Sequence, residues 1–153
     1  MRDAARVFRY LPSVGCRVTT APRIAHLAVV VRDLDTQTAV PLVALGLVER
    51  GRTSVPSEGA AVSFIQLGQG EIELLQPLGE GVLGQFLDTR GEGLHHLALR
   101  VPDIDAAIVR ATAAGLRPAG QTPREGAYGT RVAFFHPASL HGLLLEFVES
   151  RLR

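Results

Sequence analysis

The sequence predicts an α+β fold made of two tandem β-α-β-β-β modules, and three observations predict it. The stretch His26-Leu-Ala-Val-Val-Val-Arg-Asp-Leu-Asp35 returns as His96-Leu-Ala-Leu-Arg-Val-Pro-Asp-Ile-Asp105, with six of ten positions identical. A glutamate also recurs inside the last apolar run of each half, as Glu73 in Ile72-Glu-Leu-Leu75 and Glu146 in Leu145-Glu-Phe-Val148. Finally, apolar runs of strand length and turn-forming clusters follow one another in the same order in both halves. The histidines stand 70 residues apart and the glutamates 73, so the copies stay in register to within a short loop.

In the first module, residues 23–31 read as a buried strand, rich in β-branched side chains. Asp33 and Asp35 then offer acceptors for the start of a helix running to about residue 45, kinked or shortened by Pro41 and ended by Gly46. A second strand follows over 47–52. Residues 54–59 are a loop by composition, and 60–67 and 71–76 form a hairpin around Gly68-Gln-Gly70. Residues 81–93 form a linker with a short amphipathic helix near 82–89.

The second module repeats the plan. It has a strand over 94–101, a helix over 104–114 with Ile104, Ala107, Ile108 and Ala111 on one face, and a strand over 116–121. A Gly-rich loop over 123–129 precedes a closing pair of strands over 131–135 and 143–148. Residues 23–150 are thus one domain, with module one at 23–80 and module two at 94–150. Neither module buries both faces of a four-stranded sheet alone; two curved mixed sheets turned toward each other bury one face and enclose a cleft.

Residues 1–22 lie outside the repeat as an N-terminal extension with four arginines against one acid. The expectation is an upstream extension of a cytoplasmic protein, with a transit peptide for the mitochondrial matrix as the alternative. Sixteen basic and 15 acidic residues leave a net charge of +1, which gives no footprint for nucleic acid. All the basic residues are arginine, so Schiff-base chemistry and a P-loop lysine are excluded. Cys16, the single cysteine, forms neither an internal disulfide nor a thiolate zinc site. The apolar runs fall short of a membrane span, so no membrane partner is expected.

The repeat gives His26, Glu73, His96 and Glu146 equivalent places in the two halves. An approximate two-fold axis brings like positions together, and two imidazoles with two carboxylates suit Co²⁺, Zn²⁺, Mn²⁺, Ni²⁺ or Fe²⁺. An ionised glutamate inside an apolar strand is costly unless it is paired or coordinated, which a shared ion explains. His95 aligns with Ala25 and, as a neighbour of His96 on a strand, points to the other face.

These residues carry a resemblance. The paired modules resemble the vicinal-oxygen-chelate superfamily, and within it the methylmalonyl-CoA epimerases. The stretches that carry it are Glu71-Ile-Glu-Leu-Leu-Gln-Pro-Leu-Gly79, Arg90-Gly-Glu-Gly-Leu-His-His-Leu97, Arg131-Val-Ala-Phe-Phe-His-Pro-Ala-Ser139 and Gly142-Leu-Leu-Leu-Glu-Phe147. The resemblance implies that His26, Glu73, His96 and Glu146 bind a divalent metal, Co²⁺ first among the candidates. It also implies an acyl-CoA thioester substrate and a homodimer. Three positions depart from the family pattern. Val40-Pro41 replaces an aromatic pair, Ala138 replaces a lysine, and Val62 or Ser63 occupies the place of a glutamate base on the third strand.

Epimerisation at C2 of a methylmalonyl thioester needs an acid–base on each face of one carbon. The expectation assigns Glu146 to one face. Glu73 or a metal-held water serves the other, with Glu58 a weaker option whose ordinary role is a solvated loop acid. Arg52, Arg124 and Arg131 are candidates for the CoA phosphates, and Ser139 for the substrate carboxylate. The rival readings are a glyoxalase I-like lyase, another enzyme of the superfamily, and a drug-sequestering binder of the bleomycin-resistance type.

Overall fold

The computed structural model describes residues 22–36 and 44–149. The expected extension up to residue 21, and Val40-Pro41 with most of the first helix, lie outside the described residues. The first half contributes β1 (Arg23–Val30), β2 (Glu49–Val55), β3 (Ala60–Leu67) and β4 (Gly70–Pro77). The second contributes β5 (Gly93–Arg100), β6 (Arg124–Glu125), β7 (Arg131–Phe135) and β8 (Leu145–Glu149). Helix α1 (Val82–Arg90) links the halves, and helix α2 (Ile104–Ala113) follows β5.

Among the described residues the strands form one curled sheet in the order β2-β3-β4-β1-β5-β8-β7-β6. Each half has the same plan. Its first strand pairs in parallel with its last, β1 with β4 and β5 with β8, and the remaining pairs are antiparallel. The two sheets expected from the sequence are joined, because β1 and β5 pair antiparallel along their outer edges. That pairing satisfies backbone groups that would otherwise stay unpaired on both strands.

Alternation along the strands sorts the two faces. Leu97, Leu99, Ala133, Phe135, Leu145 and Phe147 pack with Ile104, Ala107 and Ala111 of α2. Phe135 is fully buried there, a contribution of roughly 1.5–3 kcal/mol from its burial. The side chain of Asp103 accepts from Ala106 N at 2.9 Å and caps α2, as the repeated Asp-x-Asp predicts. The intervening residues His96, Ala98, Val132, Phe134, Glu146 and Val148 therefore face away from α2.

One expected strand is corrected. Over 116–121 only an isolated bridge forms, Pro118 to Phe135, and the outermost strand is instead the two-residue β6 inside the expected loop. Proline has no N–H for a ladder, and Gly120 turns the chain at φ +75° just beyond it.

Candidate metal centre

The register places the four expected residues around the β1–β5 seam. Ala28 on β1 lies opposite both His96 on β5 and Glu73 on β4, while Ala98 on β5 lies opposite both His26 on β1 and Glu146 on β8. Cross-strand partners share a face, so the small alanines leave room over the seam for the four long side chains. Ala28 and Ala98 are both fully buried.

Three of the four converge on one point. His26 Nε2 and His96 Nε2 are 3.0 Å apart, and each is 3.0 Å from Glu146 Oε2. Among the described residues, these three are the group whose ligand atoms lie close enough to hold one ion. Glu146 Oε2 is buried at hydrogen-bond distance from both rings, yet no N–H is aimed at it. Three electron-rich atoms facing one another across buried space fit a cation between them. Atoms held about 2.1 Å from one ion at right angles stand about 3.0 Å apart.

Glu73 sits elsewhere on the same ring. Its Oε1 is 3.1 Å from His26 Nδ1, on the side away from the cluster. A carboxylate on Nδ1 fixes the proton there and leaves the Nε2 lone pair for an ion. The other histidine has a comparable neighbour, since His95 Nδ1 lies 2.9 Å from His96 Nδ1. The His95 ring packs edge-on against Phe86 at 5.0 Å and stays outside the cluster. It does not take the opposite face that strand alternation predicts, because the β1–β5 register shifts at this position and brings the two rings into contact.

Electrostatics follow from burial and these contacts. Burial pushes the Glu146 carboxyl up, but the two imidazoles, when protonated and donating to it, hold it down at about 2. Burial pushes Glu73 up to about 7, with the charge of His26 opposing and that of Glu146 adding. Burial lowers His26, yet Glu146 and Glu73 outweigh it and leave the ring raised. Burial takes His95 down to about 4.

The cluster opens into a cavity of about 390 Å³ whose mixed lining includes the apolar side chains of Val55, Val62, Phe64 and Val132 beside charged ones. Glu58 lines this cavity and is not the solvated loop acid expected; its side chain is only 20% exposed and lies 3.7 Å from Arg124 of the other half. A composition-based reading of a Ser/Gly loop has no means of seeing that long-range contact. Burial and the charge of Glu146 raise the Glu58 carboxyl, against Arg124, His96 and His26.

The expected phosphate-binding arginines are engaged with acids. Arg52 pairs with Asp35 and Glu49, and Arg131 with Asp105 at 3.0 Å and Glu149 at 3.1 Å. Arg50 and Arg100, which sequence reasoning did not single out, line the cavity. Ser139 donates to the His136 carbonyl at 2.8 Å and accepts from Arg117 N at 3.2 Å, so it builds its turn.

Comparison with known proteins gives a consistent result. The family model of the Glyoxalase/Bleomycin resistance protein/Dioxygenase superfamily matches residues 25–134. An ethylmalonyl-CoA/methylmalonyl-CoA epimerase of Cereibacter sphaeroides is 39% identical, over 81% of this chain and 95% of that protein. The mitochondrial methylmalonyl-CoA epimerase of Homo sapiens is 31% identical, over 92% of this chain and 81% of that one. A methylmalonyl-CoA epimerase solved in complex with methylmalonyl-CoA and NH4+ superposes with a TM-score of 0.80 at 28% identity, over 87% of this chain and 97% of its own.

Proposed function

We propose that this chain, which belongs to the Glyoxalase/Bleomycin resistance protein/Dioxygenase superfamily, is a metal-dependent epimerase that interconverts (2R)- and (2S)-methylmalonyl-CoA. The observation that carries the proposal is the meeting of His26, His96 and Glu146 at 3.0 Å beside an open cavity, in a chain similar to epimerases over most of its length. His26, His96 and Glu146 hold a divalent ion, Co²⁺ by preference. Glu73 acts on His26 from behind rather than as a fourth ligand.

The chemistry follows from the α-carbon. Its proton is acidic only when the carbanion is shared with the thioester oxygen. His26, His96 and Glu146 would hold a divalent ion, which would supply the positive charge that stabilises the enolate. Glu146 reaches the seam from β8, and its carboxylate takes the proton on one face, a role typically worth 10²–10⁴-fold. Glu73 keeps the His26 ring oriented. Arg50 and Arg100 supply positive charge on the cavity wall, suited to an anionic acyl-CoA.

The proposal extends to a homodimer in the cytoplasm. Exposed Ile24 and Leu67, on either side of Gly70, support the dimer, and the bacterial relative supports the location. The deciding experiment follows each pure epimer of methylmalonyl-CoA by NMR, with and without added Co²⁺, beside the hemithioacetal of methylglyoxal. Metal-dependent interconversion of the thioester alone supports the epimerase. Turnover of the hemithioacetal in its place overturns it in favour of a lyase.

A further inference from the structure

Inverting C2 requires a second proton-handling group facing Glu146, and the chain carries no glutamate where β3 would present one. Val62 belongs to the core, and the Ser63 hydroxyl, also buried, donates to Glu49 at 2.7 Å. Glu73 is engaged on His26 Nδ1.

Glu58 meets the requirement from another direction. It ends the 3-10 turn Pro56–Glu58, which Gly59 closes in the left-handed conformation with its N–H bonded to the Pro56 carbonyl at 3.1 Å. Proline at the start and a left-handed glycine at the end restrict this turn, so the carboxylate is presented from a defined backbone. Its side chain is mostly shielded and reaches toward Arg124 across the two halves. Arg124 is itself stacked over the Phe134 ring at 5.2 Å. Glu58 and His96 also line a second cavity of about 560 Å³ behind the first, so Glu58 stands where the two cavities meet. Glu146 approaches from β8 of the second half, Glu58 from the β2–β3 connection of the first.

We propose that Glu58 is the second acid–base, serving the face of C2 opposite Glu146. The assignment rests on the epimerase reading given above. From one epimer, the Glu146 carboxylate takes the C2 proton while the C–H electron pair moves into the thioester carbonyl. The Glu58 carboxylic acid then gives its proton to the other face as that pair returns to C2. The two carboxyls carry one proton between them before and after turnover and two while the enolate stands. Exchange with solvent then moves the remaining proton from Glu146 back to Glu58, and the other epimer runs the sequence in reverse.

The test follows each epimer in D₂O by NMR with wild-type, Glu58→Gln and Glu58→Asp proteins, with bound metal measured on each. Glu58→Gln is expected to slow interconversion by about 10²-fold or more while keeping its metal. The epimer whose proton faces Glu146 should still exchange that proton for deuterium without inverting. Glu58→Asp is expected to recover part of the interconversion, which also covers the case of a Gln variant that does not fold. Interconversion by Glu58→Gln within about threefold of wild type, or loss of its metal, overturns the assignment and leaves the epimerase reading standing. A wild-type protein that neither exchanges nor interconverts the thioester overturns that reading, and this assignment with it.

Discussion

Glu73 Oε1 lies 3.1 Å from His26 Nδ1 across the β1–β4 pair, and this contact decides which ring nitrogen faces the cluster. A proton fixed on Nδ1 leaves Nε2 as the lone-pair donor, turned toward His96 and Glu146.

Removing the orienting charge and removing a donor should therefore differ in degree. Glu73→Gln is expected to weaken divalent-metal binding by about 10–100-fold, while His96→Ala abolishes stoichiometric binding. Titration calorimetry with Co²⁺ and metal analysis of the purified variants check this. Equal loss in both variants would make Glu73 a direct ligand.

Glu146 is expected to matter twice, for the ion and for the proton. Glu146→Gln should slow solvent deuterium entry at C2 by about 10²–10⁴-fold even at metal concentrations that saturate the variant. Unaltered exchange would remove Glu146 from the proton path.

These residues also show how far the sequence reaches. The duplicated His-Leu-Ala run and the echoed glutamates made the module plan, most strand positions and the meeting of His26, His96 and Glu146 legible. Spacing does not report rotamers, so the turn of Glu73 onto Nδ1 was not legible. Glu58 looked like a loop acid because its burial depends on Arg124, 66 positions away by number and in the other half. The joining of β1 to β5 depends on which edges meet, and alternation along a single strand carries no such information.

Gly126 should not tolerate a side chain. A Cβ there would stand 2.6 Å from Val132 Cγ1 and 2.7 Å from Thr130 Oγ1, both on residues that line the cavity. Gly126→Ala is expected to cost about 1–3 kcal/mol in denaturant unfolding and to raise KM more than it lowers kcat. A variant with unchanged stability and KM would show that this loop yields freely.

The Asp105–Arg131–Glu149 cluster ties the start of α2 to β7 and β8. The hydrogen bond from Arg131 holds the Asp105 carboxyl below its usual 3.8 in the folded protein. A carboxyl with a lowered folded value stabilises above its unfolded value and loses that contribution as pH falls through the folded one. The Tm difference between wild type and Asp105→Asn should thus be present at neutral pH and shrink as pH falls below about 4. A gap that stays constant down to pH 2 would mean that the charge contributes nothing.

The β1–β5 seam has a consequence for any shortened gene. A polypeptide ending after β4 would leave the outer rim of β1 bare, a template that invites the nearest strand available. In a solution of such fragments that strand would belong to a sibling molecule, and each fragment would bring His26 to the encounter without His96 or Glu146. Joining the halves in one chain replaces that search with an intramolecular partner always at hand.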